Sequence, residues 1–142
     1  MQTQQKVYEK ERKNDTKLLM IVDDDLNTLT TMKKSLGSDA KIKVYSFTSP
    51  VAAVQQFAIN SQHYDAVISD IRMPAMNGFE LARKILQINP STKVFLITAF
   101  EVNMKEFSVM FPSLKVSGII SKPFRPSELK KLILEHLHKT KA

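Results

Sequence analysis

Five short runs of apolar residues, separated by segments with helical periodicity, constrain the fold of this chain more than any other feature. Three of the runs, residues 18–22, 66–69 and 94–97, are predominantly apolar, as strands buried on both faces of a sheet are. A fourth run, residues 116–121, predicts a short strand. In the fifth run, residues 42–47, successive side chains alternate between the two faces, which indicates a strand nearer the edge of the sheet. We therefore predict five β-strands.

Each predicted strand is followed by apolar side chains at helical spacing. They are Leu29, Met32 and Leu36; Val54, Phe57 and Ala58; Leu81, Ile85 and Ile88; Phe107, Met110 and Phe111; and Leu129, Leu132, Ile133 and Leu137. Gly37 and Pro90 mark the ends of two helices, and Ser49 before Pro50 indicates the start of another. Strands that alternate with helices predict an α/β fold, a doubly wound parallel sheet with helices on both faces.

Polar residues directly after the strands are the candidate functional residues, because ligands of such sheets bind beyond the carboxyl ends of the strands. They are Asp23, Asp24 and Asp25 after the first strand, Asp70 after the third, Thr98 after the fourth and Lys122 after the fifth. Asp25 is also in position to cap the following helix. Carboxylates gathered at one edge repel one another unless a cation neutralises them, and oxygen ligands without His or Cys favour Mg²⁺ or Mn²⁺.

Composition excludes several other classes of function. The chain has no cysteine, so disulfides, thiolate metal sites and cysteine nucleophiles are ruled out. No apolar run approaches the roughly 20 residues that cross a bilayer, and we expect a soluble, cytoplasmic protein without membrane contact. The net charge of +7 lies mostly at the two ends of the chain, with +2 in residues 1–17 and +4 in residues 122–142. Terminal charge of this kind is usually solvated, so we do not expect direct nucleic-acid binding.

A divalent cation beside a carboxylate favours phosphoryl transfer. The metal offsets the charge on the attacking oxygen and on the phosphoryl oxygens, and an aspartate can act as the nucleophile. Thr98 and Lys122 supply a hydroxyl and an ammonium group that suit the oxygens of a bound phosphoryl group.

Four motifs in order along the chain resemble the receiver domain of two-component response regulators. They are VDDD at 22–25, ISD at 68–70 followed by MP and NG, ITA at 97–99, and SKPF at 121–124. The resemblance extends from residue 18 to about residue 138, and it implies a flavodoxin-like (βα)5 fold with strand order 2-1-3-4-5. We accordingly divide the chain into a polar N-terminal extension (1–16), a receiver domain of the stand-alone type (17–139) and a C-terminal tail (140–142).

The resemblance also implies a role for each residue of the predicted site. Asp70 is the phosphoacceptor, and Thr98 and Lys122 bind phosphoryl oxygens after transfer. The Mg²⁺ ligands, which also suit Mn²⁺, are Asp23, Asp24, Asp70 and the backbone carbonyl of Arg72. In the family the peptide bond between Lys122 and Pro123 is usually cis.

The resemblance further implies a signalling phosphoacceptor rather than an enzyme. Its partner would be a sensor histidine kinase or a phosphotransfer protein, and phosphorylation would switch a surface that docks a downstream protein. The fourth predicted helix, the fifth strand and the fifth predicted helix form a face that suits a homodimer. Ile119 occupies the position where the family often carries Tyr or Phe, so the aromatic form of the switch cannot operate here.

Two alternatives remain open at this stage. One is a small phosphatase or phosphotransferase in which Asp23 is the nucleophile and Asp25 its acid partner. The other is an interaction module that keeps the receiver fold but works without phosphorylation.

Overall fold

The computed structural model describes residues 16–99, 105, 108–109 and 111–139. Nine elements are bounded within these residues: β1 (Lys17–Val22), α1 (Leu26–Gly37), β2 (Ile42–Phe47), α2 (Pro50–Ile59), β3 (Ala66–Asp70), α3 (Gly78–Ile88), β4 (Lys93–Thr98), β5 (Gly118–Ser121) and α4 (Pro126–Lys139). The fourth predicted helix lies largely outside the described residues, and so do Phe107 and Met110. The helix labelled α4 is therefore the fifth helix predicted from the sequence.

The five strands form one parallel sheet in the order β2-β1-β3-β4-β5, as predicted. β2 is an edge strand, which explains why its side chains are only partly buried. β3 and β4, in contrast, are buried along almost their whole length. β5 begins at Gly118, two residues later than the sequence indicated.

Alternation along the strands divides the core between the two faces of the sheet. On one face, Leu18, Met20 and Val22 of β1 belong to a cluster that includes Phe57 of α2 and Ile85 of α3. On the other face, the remaining apolar residues of β1 pack with α1 and α4. That second cluster includes Leu19, Ile21, Leu29, Met32, Leu36, Leu129, Ile133 and Leu137. The doubly wound prediction is therefore confirmed, with two helices on each face among the described residues.

The helices begin where side chains satisfy free backbone N–H groups. Asp25, Ser49 and Asn77 are the N-cap residues of α1, α2 and α3, and each accepts a hydrogen bond from a backbone N–H of the first turn. Pro50 occupies the start of α2, where its fixed φ suits a helix and its missing N–H costs nothing. No helix within the described residues is long and apolar enough to cross a bilayer.

Two residues predicted to face the core do not. Ala58 of α2 and Ile88 of α3 are exposed, and Ala53 and Ala82 are the buried residues in these helices instead. Phe57 lies in the same turn of α2 as Ala58 and is fully buried, so Ala58 is on the side of the helix that is turned away from the core, whereas Ile88 is the last residue of α3. Helical spacing alone does not show which side of a helix meets the sheet.

Ile85 and Ile88 provide a matched test of this packing. Both lie in α3, but Ile85 is fully buried whereas Ile88 is 39% exposed. Ile85→Ala should reduce the free energy of unfolding by about 2–5 kcal/mol, because it leaves a cavity against the sheet. Ile88→Ala should change it by less than about 1 kcal/mol. Urea unfolding of both variants measures the difference, and equal losses would contradict the packing described here.

Candidate functional site

The candidate site lies at the carboxyl edge of the sheet, where four of the five strands deliver a polar side chain. Asp23 follows β1, Asp70 ends β3, Thr98 ends β4 and Lys122 follows β5. Carboxylate oxygens of Asp23, Asp24 and Asp70 lie within 4.8 Å of one another. The structure therefore brings together residues that are up to 99 positions apart in the chain.

Asp23 is the most deeply buried acid of the site, with no exposed surface. Its Oδ1 atom accepts a hydrogen bond of 2.9 Å from the backbone N–H of Asp25. Its Oδ2 atom is buried without a hydrogen-bond partner within the described part of the chain, and the nearest opposite charge is the Lys122 Nζ atom at 3.9 Å. A buried carboxylate oxygen without a hydrogen-bond donor is costly unless a cation binds it.

Asp70 is largely buried but reaches the surface of the site. Its Oδ1 atom accepts a hydrogen bond of 3.0 Å from the N–H of Ile71 and lies 3.8 Å from the Nζ atom of Lys122. The ammonium group of Lys122 is thus almost equally distant from Asp70 and from Asp23. The charge of Lys122 partly neutralises both carboxylates. Asp24, in contrast, is exposed to solvent.

The backbone holds Thr98 and Lys122 together. The N–H of Lys122 donates a hydrogen bond of 2.7 Å to the carbonyl oxygen of Thr98, and the side chain of Thr98 is buried beside it. The Lys122–Pro123 peptide bond is cis. Arg72, whose backbone carbonyl is the fourth predicted metal ligand, lies two residues beyond Asp70 with an exposed side chain.

Burial raises the pKa of both central acids. The pKa of Asp23 rises to about 6, first because burial disfavours its charged form and further because Asp70 and Asp24 repel it. The N–H of Asp25 and the charge of Lys122 oppose this rise. The pKa of Asp70 is also raised by burial, against the attraction of Lys122. A divalent cation would offset the cost of burying these carboxylates in their charged form, because it favours the charged form of each one.

The residues therefore fit a divalent cation. Three carboxylates converge, one of their oxygens is buried without a donor, and His and Cys are absent from the cluster. Such all-oxygen ligands suit Mg²⁺ or Mn²⁺.

Asp25 has a different role from Asp23 and Asp24. Its carboxylate accepts hydrogen bonds from the N–H of Asn27 and from the hydroxyl of Thr28, and these bonds lower its pKa. It caps α1, as the sequence indicated.

Two residues that were not predicted as site residues hold the backbone of Asp70. The buried hydroxyl of Ser69 donates a hydrogen bond of 2.8 Å to the carbonyl oxygen of Asp70. Gly78 lies so close that a Cβ atom there would be 2.5 Å from the same oxygen and 2.8 Å from the Cα atom of Ile71. Ser69 lies in the motif ISD and Gly78 in the motif NG, but these motifs did not indicate a contact with the backbone of Asp70.

Ile119 of β5 packs against the core cluster on the face of α2 and α3. Ile119 points inward at the position where the family often carries Tyr or Phe. The nearby aromatic pair is Phe79 and Phe111, whose rings stack with centroids 4.9 Å apart.

Replacing Gly78 tests the close approach to Asp70. Gly78→Ala should lower the melting temperature and shift the backbone amide signals of residues 69–71, because the new methyl group collides with backbone atoms. Gly37→Ala is the matched control, since nothing lies within 4 Å of the position of its Cβ atom and alanine favours a helix. Similar amide shifts at residues 69–71 in both variants would contradict the contact.

The raised pKa of Asp23 predicts an unusual dependence of stability on pH. The unfolded chain releases this proton near the ordinary aspartate pKa of about 4, whereas the folded chain keeps it until about pH 6. Without divalent cations, the free energy of unfolding should therefore fall as pH rises through this window. Asp23→Asn should flatten the fall and stabilise the protein at pH 7, as urea titrations at several pH values would show.

Asp39 provides a control of opposite sign. The N–H of Lys41 and, more weakly, the charge of Lys130 lower its pKa, so the charged form stabilises the fold. Asp39→Asn should slightly destabilise the protein at pH 7. If Asp39→Asn and Asp23→Asn shift stability in the same direction, the electrostatic account of the Asp23 site is wrong.

Comparisons with known proteins agree with this geometry. The family model described as the response regulator receiver domain matches residues 19–134. An Arabidopsis thaliana protein named as a two-component response regulator, ARR21, is 32% identical over 114 residues, which are 80% of this chain and 18% of that protein. The hybrid signal transduction histidine kinase L of Dictyostelium discoideum is 28% identical over 137 residues, which cover 90% of this chain and 8% of the kinase.

Solved structures show the same fold. A CheY-like response regulator receiver domain protein from Methanospirillum hungatei superposes with a TM-score of 0.77 at 26% identity, over 89% of this chain and 97% of that one. This chain spans only a small part of the two relatives named above. Because the family model covers most of its length, the chain belongs to the response regulator receiver domain family.

Proposed function

We propose that this receiver domain accepts a phosphoryl group on Asp70 from a histidine kinase or a phosphotransfer protein. The observation that carries the proposal is the position of Asp70: it lies beside two other acids, and Lys122 is 3.8 Å from its Oδ1 atom. The receiver domain comprises residues 17–139 in this proposal, and the protein acts in the cytoplasm.

The transfer step follows from the chemistry of an aspartate nucleophile. A carboxylate oxygen of Asp70 attacks the phosphorus of a phosphohistidine, a P–O bond forms, and the P–N bond breaks as the imidazole leaves. The N–H of Ile71 holds Oδ1 of Asp70 at 3.0 Å and orients the carboxylate. Asp23, Asp24, Asp70 and the carbonyl of Arg72 would hold Mg²⁺ or Mn²⁺, which when bound offsets the negative charge of the acids and of the phosphoryl oxygens.

Lys122 and Thr98 take new partners after transfer. The ammonium group of Lys122 already faces Asp70, so a short movement would pair it with a phosphoryl oxygen. The hydroxyl of Thr98 would bind a second oxygen. Because the Lys122 N–H is bonded to the Thr98 carbonyl, a change at one residue is transmitted to the ends of both β4 and β5.

The output is a shift between two populations of surface conformations. We place this surface on the fourth and fifth predicted helices and the fifth strand, where it would bind a downstream protein or a second receiver. Ile119 packs in the core rather than presenting an aromatic ring, so the change is carried by other groups of this face.

The structure offers less support for a phosphatase that uses Asp23. Such an enzyme needs a second acid as its partner. The carboxylate of Asp25 is a poor candidate, because it accepts hydrogen bonds from Asn27 and Thr28 at the start of α1. Asp23 itself is fully buried, whereas Asp70 reaches the surface.

Phosphorylation with a small acyl phosphate tests the proposal. With Mg²⁺ present, the protein should gain the mass of one phosphoryl group, and hydroxylamine should remove it. Asp70→Asn should abolish the gain, and Lys122→Ala should reduce its rate at least about tenfold because a charge that faces the nucleophile is lost. Asp39→Asn, which replaces an acid outside the site, should leave the rate unchanged.

The contradicting outcomes are distinct. Labelling of the Asp70→Asn protein at the wild-type rate would remove Asp70 as the acceptor. Turnover of a phosphate ester that survives Asp70→Asn but not Asp23→Asn would favour the phosphatase, and failure of the wild-type protein to be labelled or to bind Mg²⁺ would favour a phosphorylation-independent interaction module.

A further inference from the structure

A buried hydroxyl lies directly before Asp70 in the chain. Ser69 is fully buried, and in the sheet it is paired with Val22 of β1 and with Leu96 of β4. Both neighbours belong to the apolar core cluster on the face of α2 and α3. Packing among such neighbours does not require a polar atom, and burial of a hydroxyl costs free energy unless it forms a hydrogen bond. The partner of this hydroxyl therefore indicates what it does.

The hydroxyl of Ser69 binds one end of the peptide unit that joins Asp70 to Ile71. It donates a hydrogen bond of 2.8 Å to the carbonyl oxygen of Asp70. At the other end of the unit, the N–H of Ile71 has two acceptors, which are the carbonyl oxygen of Ile97 at 2.9 Å and the Oδ1 atom of Asp70 at 3.0 Å. One N–H is thus shared between the neighbouring strand and the carboxylate of Asp70.

The planarity of the peptide unit links its two ends. The carbonyl and the N–H lie in one plane, so a rotation that moves the carbonyl oxygen also moves the N–H. A hydrogen bond to the carbonyl oxygen therefore influences how the N–H of Ile71 is divided between its two acceptors. Gly78 limits the same oxygen from a further direction, because a Cβ atom there would lie 2.5 Å from it.

We propose that Ser69 is a positioning residue for phosphoryl transfer and acts through the peptide unit between Asp70 and Ile71. Its hydroxyl sets the direction of the Ile71 N–H, and this N–H fixes the rotation of the Asp70 carboxylate. The inference rests on the proposed role of Asp70 as the phosphoacceptor. Without the hydroxyl, the carboxylate adopts a wider range of orientations, and fewer of them direct an oxygen at the phosphorus of the donor.

A role in folding alone makes a different prediction. In that case loss of the hydroxyl changes the free energy of unfolding, but it does not change the rate of phosphorylation of protein that remains folded. Two substitutions of equal shape isolate the hydroxyl from the packing. Ser69→Thr and Ser69→Val add the same bulk at a fully buried position, and only threonine keeps a hydroxyl. Ser69→Ala removes the hydroxyl without adding bulk.

Phosphorylation of these variants by a small acyl phosphate, at saturating Mg²⁺ and without denaturant, tests the proposal. Ser69→Val should be labelled about threefold to tenfold more slowly than Ser69→Thr, which is the range for one hydrogen bond of ordinary strength. Ser69→Ala should be slower than the wild type by a similar factor. Circular dichroism and thermal melting establish that each variant is folded at the temperature of the assay.

Nuclear magnetic resonance of the unphosphorylated protein provides a second readout. Relative to Ser69→Thr, Ser69→Val should shift the carbonyl ¹³C signal of Asp70, because its oxygen loses a hydrogen-bond donor. The amide proton signal of Ile71 should shift as well, because the N–H at the other end of the unit changes direction. These signals report the peptide unit whether or not Asp70 is phosphorylated.

Thr92 supplies the matched control. It is a buried threonine directly before β4, at the opposite edge of the sheet from Asp70. Its Oγ1 atom has no hydrogen-bond partner within the described residues. Thr92→Val also removes a buried hydroxyl, but it should leave the labelling rate within about twofold of the wild type and the signals of Asp70 and Ile71 in place.

Two outcomes would overturn the proposal. One is labelling of Ser69→Val and Ser69→Ala as fast as that of Ser69→Thr and the wild type, and the other is slower labelling without any shift of the Asp70 and Ile71 signals. A wild-type protein that is not labelled at all would instead overturn the proposed role of Asp70, and with it the effect of Ser69 on transfer. The signals of the unphosphorylated variants would then still show whether the hydroxyl holds the peptide unit.

Discussion

Repulsion among the carboxylates at the carboxyl edge of the sheet is the constraint on which the candidate site depends. Parallel strands deliver Asp23 and Asp70 to the same edge, and the core holds both in place while burial raises the pKa of each. Lys122 offsets part of this cost from a position between them. The arrangement is less stable than an apolar one would be, which is typical of sites that bind a cation or carry out chemistry.

Hydrogen bonds and close contacts of the Asp70 backbone hold this group of carboxylates in place. Ser69 donates to the carbonyl oxygen of Asp70, Gly78 permits the start of α3 to lie against it, and the N–H of Ile71 donates to the carbonyl oxygen of Ile97 in β4. Asp70 is therefore attached to the sheet and to a helix at once. A change in its charge has to be accommodated by neighbouring side chains and by the ends of β4 and β5, because the strand itself is held.

The two faces of the sheet contribute differently to the surface. On the face of α1 and α4, lysines such as Lys33, Lys34 and Lys131 are exposed, and on the other face α3 carries the exposed residues Arg83 and Lys84. Helix α2, in contrast, has no charged residue, so the basic charge of its face lies on α3 rather than on α2.

The sequence by itself determined the fold class and predicted the members of the candidate site. Apolar runs that each end in a polar residue predicted the parallel sheet, and the order of the motifs identified Asp23, Asp24, Asp70, Thr98 and Lys122. The sequence could do this because strand periodicity is local and because the alternation of strands with helices makes the strands parallel, which brings their carboxyl ends to one edge. Only the tertiary structure decided that Asp23 is fully buried, with one oxygen that has no hydrogen-bond donor among the described residues. It also decided that Lys122 lies close to two acids and that Ser69 and Gly78 support Asp70. The tertiary structure also decided that Ala58 and Ile88 are exposed. These features depend on distances between residues far apart in the chain and on which side of each helix meets the sheet, and no local pattern of residues encodes either quantity.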